Sequence, residues 1–444
     1  MTNSRALGTE NVKKLIWQLG TPAMLAQLIN MLYNIVDRIY LGRLEGIGSY
    51  ALSGIGISGP VIILITAFAS MIGGGGAPLA AISLGSGDKE HANDIMQVCF
   101  SLAIIMSVLL SILIYTFKKD LLFMFGASEN SYPYADEYLS YYLTGMLFAM
   151  LGTGLNGFIS AQGKANIAMI AISLGAITNI ILDPIFIFTL GMGIKGAAIA
   201  SAISQAVSAI FILKFLCSPK SELVLKIKLF IDFKVMKRII MLGMSYFVMQ
   251  STESAIAIVF NRQLLVYGSD VHIAAMAIMQ SIIMIVTVPL GGFNSGVQAL
   301  ISYNYGANNP DRIKETIVHL LKLSLSIQTA YCLSVIFFPR LFAQIFTKDI
   351  PTLDIVEQYM PIFVSGIWIF AIQNVAQTFF VATNKPATSL FVAILRKIVI
   401  LIPLALILPK FFDIVGIYAA ETIADHISAT VSGLLLLYYY KRLD

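Results

Sequence analysis

The chain has 444 residues, 58% of them hydrophobic and 12% charged, with a mean hydropathy of +0.83. Soluble domains carry about a quarter charged residues, so this composition excludes a soluble globule and points to a polytopic membrane protein. The formal charge of +5 carries little weight there, because in a membrane protein the distribution of Lys and Arg matters more than their sum; nucleic acid is not an expected partner, and the lipid bilayer is.

The first residues are polar, with Arg5, Lys13 and Lys14 ahead of an apolar run that is too long for a signal peptide and lacks a small-residue cleavage site. It is expected to remain as the first membrane helix. From there, stretches of the ~20 apolar residues that cross a bilayer can be laid down as about twelve helices. They fall near 15–43, 52–84, 95–117, 134–161, 165–190 and 194–216, then near 237–267, 272–305, 313–338, 355–382, 387–409 and 414–440.

An even number of spans puts both termini on one side. With that side cytoplasmic, about eighteen Lys and Arg fall on it and about nine on the other, as the positive-inside rule requires. The link 217–236 carries Lys220, Lys226, Lys228 and Lys234 and separates six helices from six. The predicted organisation is an N-lobe (1–216), a cytoplasmic connector (217–236) and a C-lobe (237–444).

The two halves read as copies. Gly75-Ala-Pro-Leu-Ala-Ala-Ile-Ser-Leu-Gly85-Ser-Gly-Asp88 aligns, across a short gap, with Gly296 to Asp311, and Leu19-Gly20, Gln27 and Ile35-Val36 align with Leu242-Gly243, Gln250 and Ile258-Val259. Two equally oriented six-helix repeats are a transporter architecture, with the substrate site near the midplane between them.

Acidic groups inside spans are functional-site hypotheses by default. Asn179 and Asp183 stand four apart, on one helix face. Counting 1.5 Å per residue places Asp37, Asp183 and Ser201 each roughly 10 Å below the outer surface, with Asn179 one turn deeper. If they meet, two readings follow. Close carboxylates resist ionising together, so the pair can carry a proton; alternatively the oxygens can hold a small hard cation, in which case Asp37, Asn179 and Asp183 are the metal ligands. A plainer alternative pairs Asp37 with Arg38 and leaves Asn179 tying helices together.

The second half has Glu253 in its first helix, Arg396 and Lys397 in the eleventh span, and Glu421 and Asp425 in the twelfth. Basic groups at that depth must be paired or hydrated, and Arg396 with Asp425 or Glu253 is the expected pair, as a fixed ion pair or as part of a cavity. Gln280 and Gln373 either face the same cavity or bond across helices. Gly73–Gly76 lies in an apolar helix without the Lys-Ser/Thr ending of a nucleotide loop, so close packing is expected of it. Pro22, Pro60, Pro78, Pro184, Pro289, Pro361 and Pro403 are candidate bends. The cysteines Cys99, Cys217 and Cys332 and the four histidines show no metal-ligand spacing, and His426, beside the acids, is expected to be structural. No nucleophile and base pair stands out, so no enzyme is expected.

At these residues the chain resembles the multidrug and toxic compound extrusion family, and within it the MepA-like branch of bacterial exporters. The matching stretches are Tyr33-Asn-Ile-Val-Asp37-Arg-Ile-Tyr-Leu-Gly42, Asn179-Ile-Ile-Leu-Asp183-Pro184, Gly196-Ala-Ala-Ile-Ala-Ser201, Ile301-Ser-Tyr-Asn-Tyr-Gly-Ala307 and Leu395-Arg396. The resemblance implies an all-α polytopic membrane protein of twelve helices in two pseudo-symmetric lobes around a cavity that opens to either side in turn. It further implies export of amphipathic, often cationic drugs across the bacterial inner membrane in exchange for protons or sodium ions, by a chain expected to act as a monomer without a cofactor. By motif match, Asp37, Asn179, Asp183 and Ser201 take the N-lobe cation site, with Ser201 where the family often has Thr. Glu253 matches an acidic position of sodium-linked relatives, but Ala257 stands where a second acid would follow and Gln373 where the tenth helix would supply one, which weakens a C-lobe sodium site. A lipid-linked oligosaccharide or polyprenyl flippase of a related fold is the alternative, and it should present a larger basic cavity.

Overall fold

The computed structural model describes residues 4–42, 44 and 48–443. It is helical throughout, with no strand among the described residues, as backbone in hydrocarbon requires when every N–H and C=O must be satisfied internally. A single turn, Ala6–Thr9, precedes twelve spanning segments. The first six are α1 (Val12–Gly42), α2 (Gly48–Gly85), α3 (Lys89–Met124), α4 (Tyr132–Thr144 and Met146–Ala161), α5 (Ala165–Pro184, continued by Ile185–Thr189) and α6 (Gly193–Leu216). The second six are α7 (Phe233–Tyr267), α8 (Asp270–Gly306), α9 (Pro310–Phe337), α10 (Ile350–Val364 and Ile367–Ala382), α11 (Pro386–Ile394, Leu395–Leu401 and Ile402–Ile407) and α12 (Pro409–Tyr440).

Two of these segments are broken where sequence analysis expects one continuous helix. α4 bends by 58° at Gly145 and α10 by 47° before Ile367. Neither break rests on a proline at the joint. Gly145 lies so close to Ala202 of α6 that a side chain would overlap it, and Gly366 lies in the same way against Thr422 and Asp425 of α12. At the second break the Thr422 hydroxyl donates to the Ile362 carbonyl at 2.6 Å, taking up an acceptor that the interrupted helix leaves free.

The repeat seen in the sequence is reproduced in the packing between lobes. α1 meets α8 through Gly20, which abuts the Phe293 ring, while α7 meets α2 through Gly243, which abuts the Met71 backbone. These are the two aligned glycines. Gln27 packs on Gly292 of α8, and its counterpart Gln250 donates to the Ser70 hydroxyl of α2 at 3.3 Å. The aligned ends of α2 and α8 pack on each other: a methyl on Gly85 would run into the Tyr303 carbonyl, and one on Gly306 into that of Ile82.

Gly73 to Gly76 serve close packing on every side of α2. Gly73 meets the Thr153 carbonyl, Gly74 the Tyr246 ring, Gly75 the Ile239 carbonyl, and Gly76 the Cys99 sulfur.

All these contacts lie toward the face that carries the chain termini. Beyond them the helices part: on α7 the face of Tyr246 and Gln250 continues to Glu253 and Ala257, and on α1 the face of Gln27 continues to Asn34; Glu253, Ala257 and Asn34 are all exposed. The close contacts between the lobes thus gather in the half of the helices nearer the termini, and Glu253, Ala257 and Asn34 lie beyond them.

The connector is strapped to the N-lobe by side-chain amides. Gln97 of α3 donates to the carbonyls of Lys226 and Lys228 and accepts from the Lys226 amide at 3.1 Å. Gln162 accepts from the Glu222 amide at 2.7 Å and the Ser221 hydroxyl at 3.1 Å. Across the terminal face, Arg312 of α9 donates to the Leu7 carbonyl at 2.9 Å and the Glu10 carbonyl at 2.7 Å, so the N-terminal turn is pinned to the C-lobe.

Candidate functional site

In the N-lobe, α5 carries Asn179 and Asp183 on its buried face, 1% and 0% exposed, and α6 brings Ser201 against them at 9%. The Asn179 amide donates to Asp183 Oδ1 at 3.2 Å and approaches Ser201 Oγ at 3.5 Å. Asp37 of α1 is buried as well, at 8%, and its charge lies within electrostatic reach of Asp183. Asn179, Asp183 and Ser201 therefore meet between α5 and α6, with Asp37 of α1 near enough for its charge to act on Asp183. The Arg38 side chain, the alternative partner of Asp37, lies outside the described residues.

Local chemistry explains why α5 presents Asp183 this way. Pro184 has no N–H to continue the ladder, and the chain after it widens, with the Leu190 amide bonding back five residues to the Ile185 carbonyl at 2.9 Å. Such π-turns are frequent at functional sites. Asp183 Oδ2 and Asn179 Oδ1 are buried without a hydrogen-bond partner among the described residues. Buried oxygens left this way are costly, and two of them in one carboxylate and amide pair are what a proton or a small hard cation would satisfy.

Phenols that no motif singled out also surround these residues. Tyr138 of α4 is 4% exposed and stands beside Ser201 and within reach of Asp37. Tyr33, one turn before Asp37, feels both Asp37 and Asp183. Tyr142 stacks on Tyr138 at 6.1 Å between centroids and accepts from the Gln205 amide at 3.0 Å. The signal was present in the four-residue spacing of Tyr134, Tyr138 and Tyr142, which sets hydroxyls on one helix face.

The C-lobe holds a different arrangement. Arg396 donates to Asp425 at 2.7 Å and to Glu421 at 2.6 Å, and its guanidinium lies over the Phe370 ring at 4.3 Å. Lys397 bonds the Met249 carbonyl at 2.6 Å and pairs with Glu253. Arg396 thus takes Asp425, as expected, but Glu253 belongs to Lys397. Both cations sit on the widened stretch Leu395–Leu401 of α11, the counterpart of the π-turn in α5. The Lys397 side chain is 5% exposed while that of Glu253 is 60% exposed, so the pair runs from the packed interior of the lobe to its surface.

Gln373 accepts from the Ser428 hydroxyl at 2.6 Å and ties α10 to α12. Gln280 is exposed on α8 and hydrogen-bonds none of these groups among the described residues. The His426 ring bonds the Thr422 carbonyl of its own helix at 2.8 Å and meets Trp368 of α10 edge-on, the contact that ties α12 to α10. No group of three or more His, Cys, Asp or Glu has metal-binding geometry among the described residues.

Comparison with known proteins agrees with this architecture. The MatE family model matches residues 22–185 and 245–407, one match in each half. The chain is 24% identical to the multidrug export protein MepA of Staphylococcus haemolyticus over 98% of its own length and 95% of that protein. It is also 24% identical to MepA of Staphylococcus aureus, over 97% and 95%. Among solved structures, a crystal structure of MATE in the bent conformation superposes with a TM-score of 0.93 at 25% identity, covering 100% of this chain and 98% of that one.

Proposed function

This chain belongs to the MatE family of membrane transporters, and on that premise we propose that it is a cation-coupled antiporter that exports amphipathic cations by alternating access, with protons or sodium ions entering in exchange. Its family makes it a multi-pass membrane transporter rather than a catalyst. In this reading both termini face the cytoplasm, and the lobes part toward the outside to form a cleft.

The observation that carries the proposal is the unpartnered oxygen pair of Asp183 and Asn179, buried beside Asp37 and Ser201. A proton would be held at the Asp183 carboxylate. A sodium ion would draw on the oxygens of Asp183, Asn179, Asp37 and Ser201. Either species removes the repulsion between two carboxylates in a poorly hydrated pocket, where charges interact far more strongly than in water. α1 and α5, which carry the two acids, can then draw together and change the N-lobe surface that faces the cleft. Ion and exported compound shift the lobes only through their differential affinities for the two states.

The charge of the C-lobe cluster supports a cationic rather than an anionic cargo. Two cations, Arg396 and Lys397, are matched by three carboxylates, Glu253, Glu421 and Asp425. That leaves no surplus positive charge for a pyrophosphate-linked lipid.

The test is ethidium export by purified protein in liposomes, driven separately by an imposed pH gradient and an imposed sodium gradient. One of the two should drive accumulation. If neither does, the antiport reading fails and the flippase becomes the better account.

A further inference from the structure

On the outer seam between the lobes, at the closed face, a groove of about 320 Å³ lies between the start of α1 and the middle of α9. Lys13 and Trp17 form one wall; His319, Lys322, Leu323 and Ser326 form the other. Each wall is one helix face, since Lys13 and Trp17 are four apart and His319, Lys322 and Ser326 follow at three and four.

Neither Lys13 nor Lys322 has a carboxylate partner among the described residues. Of the acids nearest in sequence, Glu10 pairs with Lys14 at 2.8 Å, and Glu315 stands beside the groove, 3.7 Å from His319 of its wall. Two lysines without a carboxylate partner among the described residues therefore stand on opposite walls of one groove. Lys322 stands about 22 Å along α9 from its far end at Phe337, which places its Cα inside the hydrocarbon layer with its ammonium able to snorkel to the headgroup level. Trp17, 53% exposed, marks the same level, where indole rings are favoured.

We propose that this groove binds one anionic phospholipid, its phosphate between Lys13 and Lys322, its glycerol near Ser326, and an acyl chain along Trp17 and Leu323. Basic pockets between membrane helices recognise acidic headgroups in this manner, and the apolar half of the lining favours a lipid over a free anion.

The two walls belong to different lobes. Trp17 meets Phe293 of α8 edge-on at 5.5 Å, and Phe293 is the residue against which Gly20 packs, so the back of the groove is the contact between lobes itself. The lipid site is complete only while this face is closed, and an occupied site favours that state by linkage.

The experiment is native mass spectrometry of the full chain released from nanodiscs of phosphatidylglycerol or phosphatidylcholine, alongside Lys13→Gln/Lys322→Gln and Lys13→Arg/Lys322→Arg double variants. One retained phosphatidylglycerol is expected, with at least tenfold weaker retention in the Gln pair and rescue by the Arg pair. Equal retention of phosphatidylcholine, or undiminished retention by the Gln pair, overturns the proposal. Inorganic phosphate is added at millimolar concentration as a competitor; displacement of the lipid by phosphate assigns the site to a free anion and overturns the lipid reading. Unchanged thermal stability of the Gln pair in phosphatidylcholine shows that it is folded. For the link to closure, spin labels at Glu90→Cys and Asp311→Cys in a Cys217→Ser background should report a larger short-distance population with phosphatidylglycerol in the otherwise native chain but not with the Gln pair. An identical response in both removes the coupling.

Discussion

The Asn179 side-chain amide donates to the Asp183 carboxylate one turn further along α5, at 3.2 Å, while pointing at Ser201 of α6. One amide thereby orients the acid from its own helix and holds the neighbouring helix in place. Because the donor occupies Oδ1, Oδ2 is the oxygen left open to the pocket.

Replacing Asp183 by Asn keeps the shape of the pocket and removes its charge. The variant is expected to reach the membrane at normal abundance and to lose at least tenfold in ethidium efflux, measured in intact cells and normalised to protein amount. Undiminished efflux at equal abundance would sink the assignment. Asn179→Leu should be milder in efflux and stronger in its effect on thermal stability, because it leaves Asp183 buried without its donor, at about 1–3 kcal/mol.

In the C-lobe the damage should follow burial. Arg396→Ala strands Glu421 and Asp425, whose side chains are 20% and 8% exposed, and breaking such a pair from one side costs about 3–5 kcal/mol. Low yield and a lowered melting temperature are expected. Lys397→Met strands only Glu253, whose side chain is 60% exposed, and should express well; a stability loss equal to that of Arg396→Ala would mean that Glu253 is as buried as the others.

Closure at the terminal face depends on backbone approaching backbone. A methyl on Gly75 would overlap the Ile239 carbonyl of α7, and backbone cannot rotate away as a side-chain tip can. Gly75→Ala should therefore push α2 from α7, at a cost of about 1–3 kcal/mol, and favour opening at this face. Spin labels at positions 90 and 311 should move apart; an unchanged distance distribution would show that the seam has slack.

The connector offers a test away from transport. Gln97→Leu removes the bonds to the Lys226 amide and the Lys226 and Lys228 carbonyls, each worth about 0.5–1.5 kcal/mol. Faster proteolysis within 217–232 is expected, with efflux per folded molecule retained. Unaltered cleavage would show that the remaining straps, at Gln162 and from the Phe230 amide to the Ser101 hydroxyl at 2.8 Å, are sufficient.

Hydropathy marked out about twelve apolar segments along the chain, because the demand for satisfied backbone in hydrocarbon acts on each segment separately. The repeat was legible for a similar reason: Gly20 and Gly243, or Gly85 and Gly306, perform the same packing task in each half, so the same residue recurs. Asn179 and Asp183 could be paired from sequence since helical spacing is local geometry. Tertiary structure decided the rest. That Glu253 answers Lys397 while Asp425 and Glu421 share Arg396, that Gly145 and Gly366 break their helices, and that tyrosines of α4 enclose the acidic pocket all depend on side chains brought together from distant parts of the chain. Ion pairing and close packing act through space, and the local pattern of a sequence carries no record of which distant face a helix will meet.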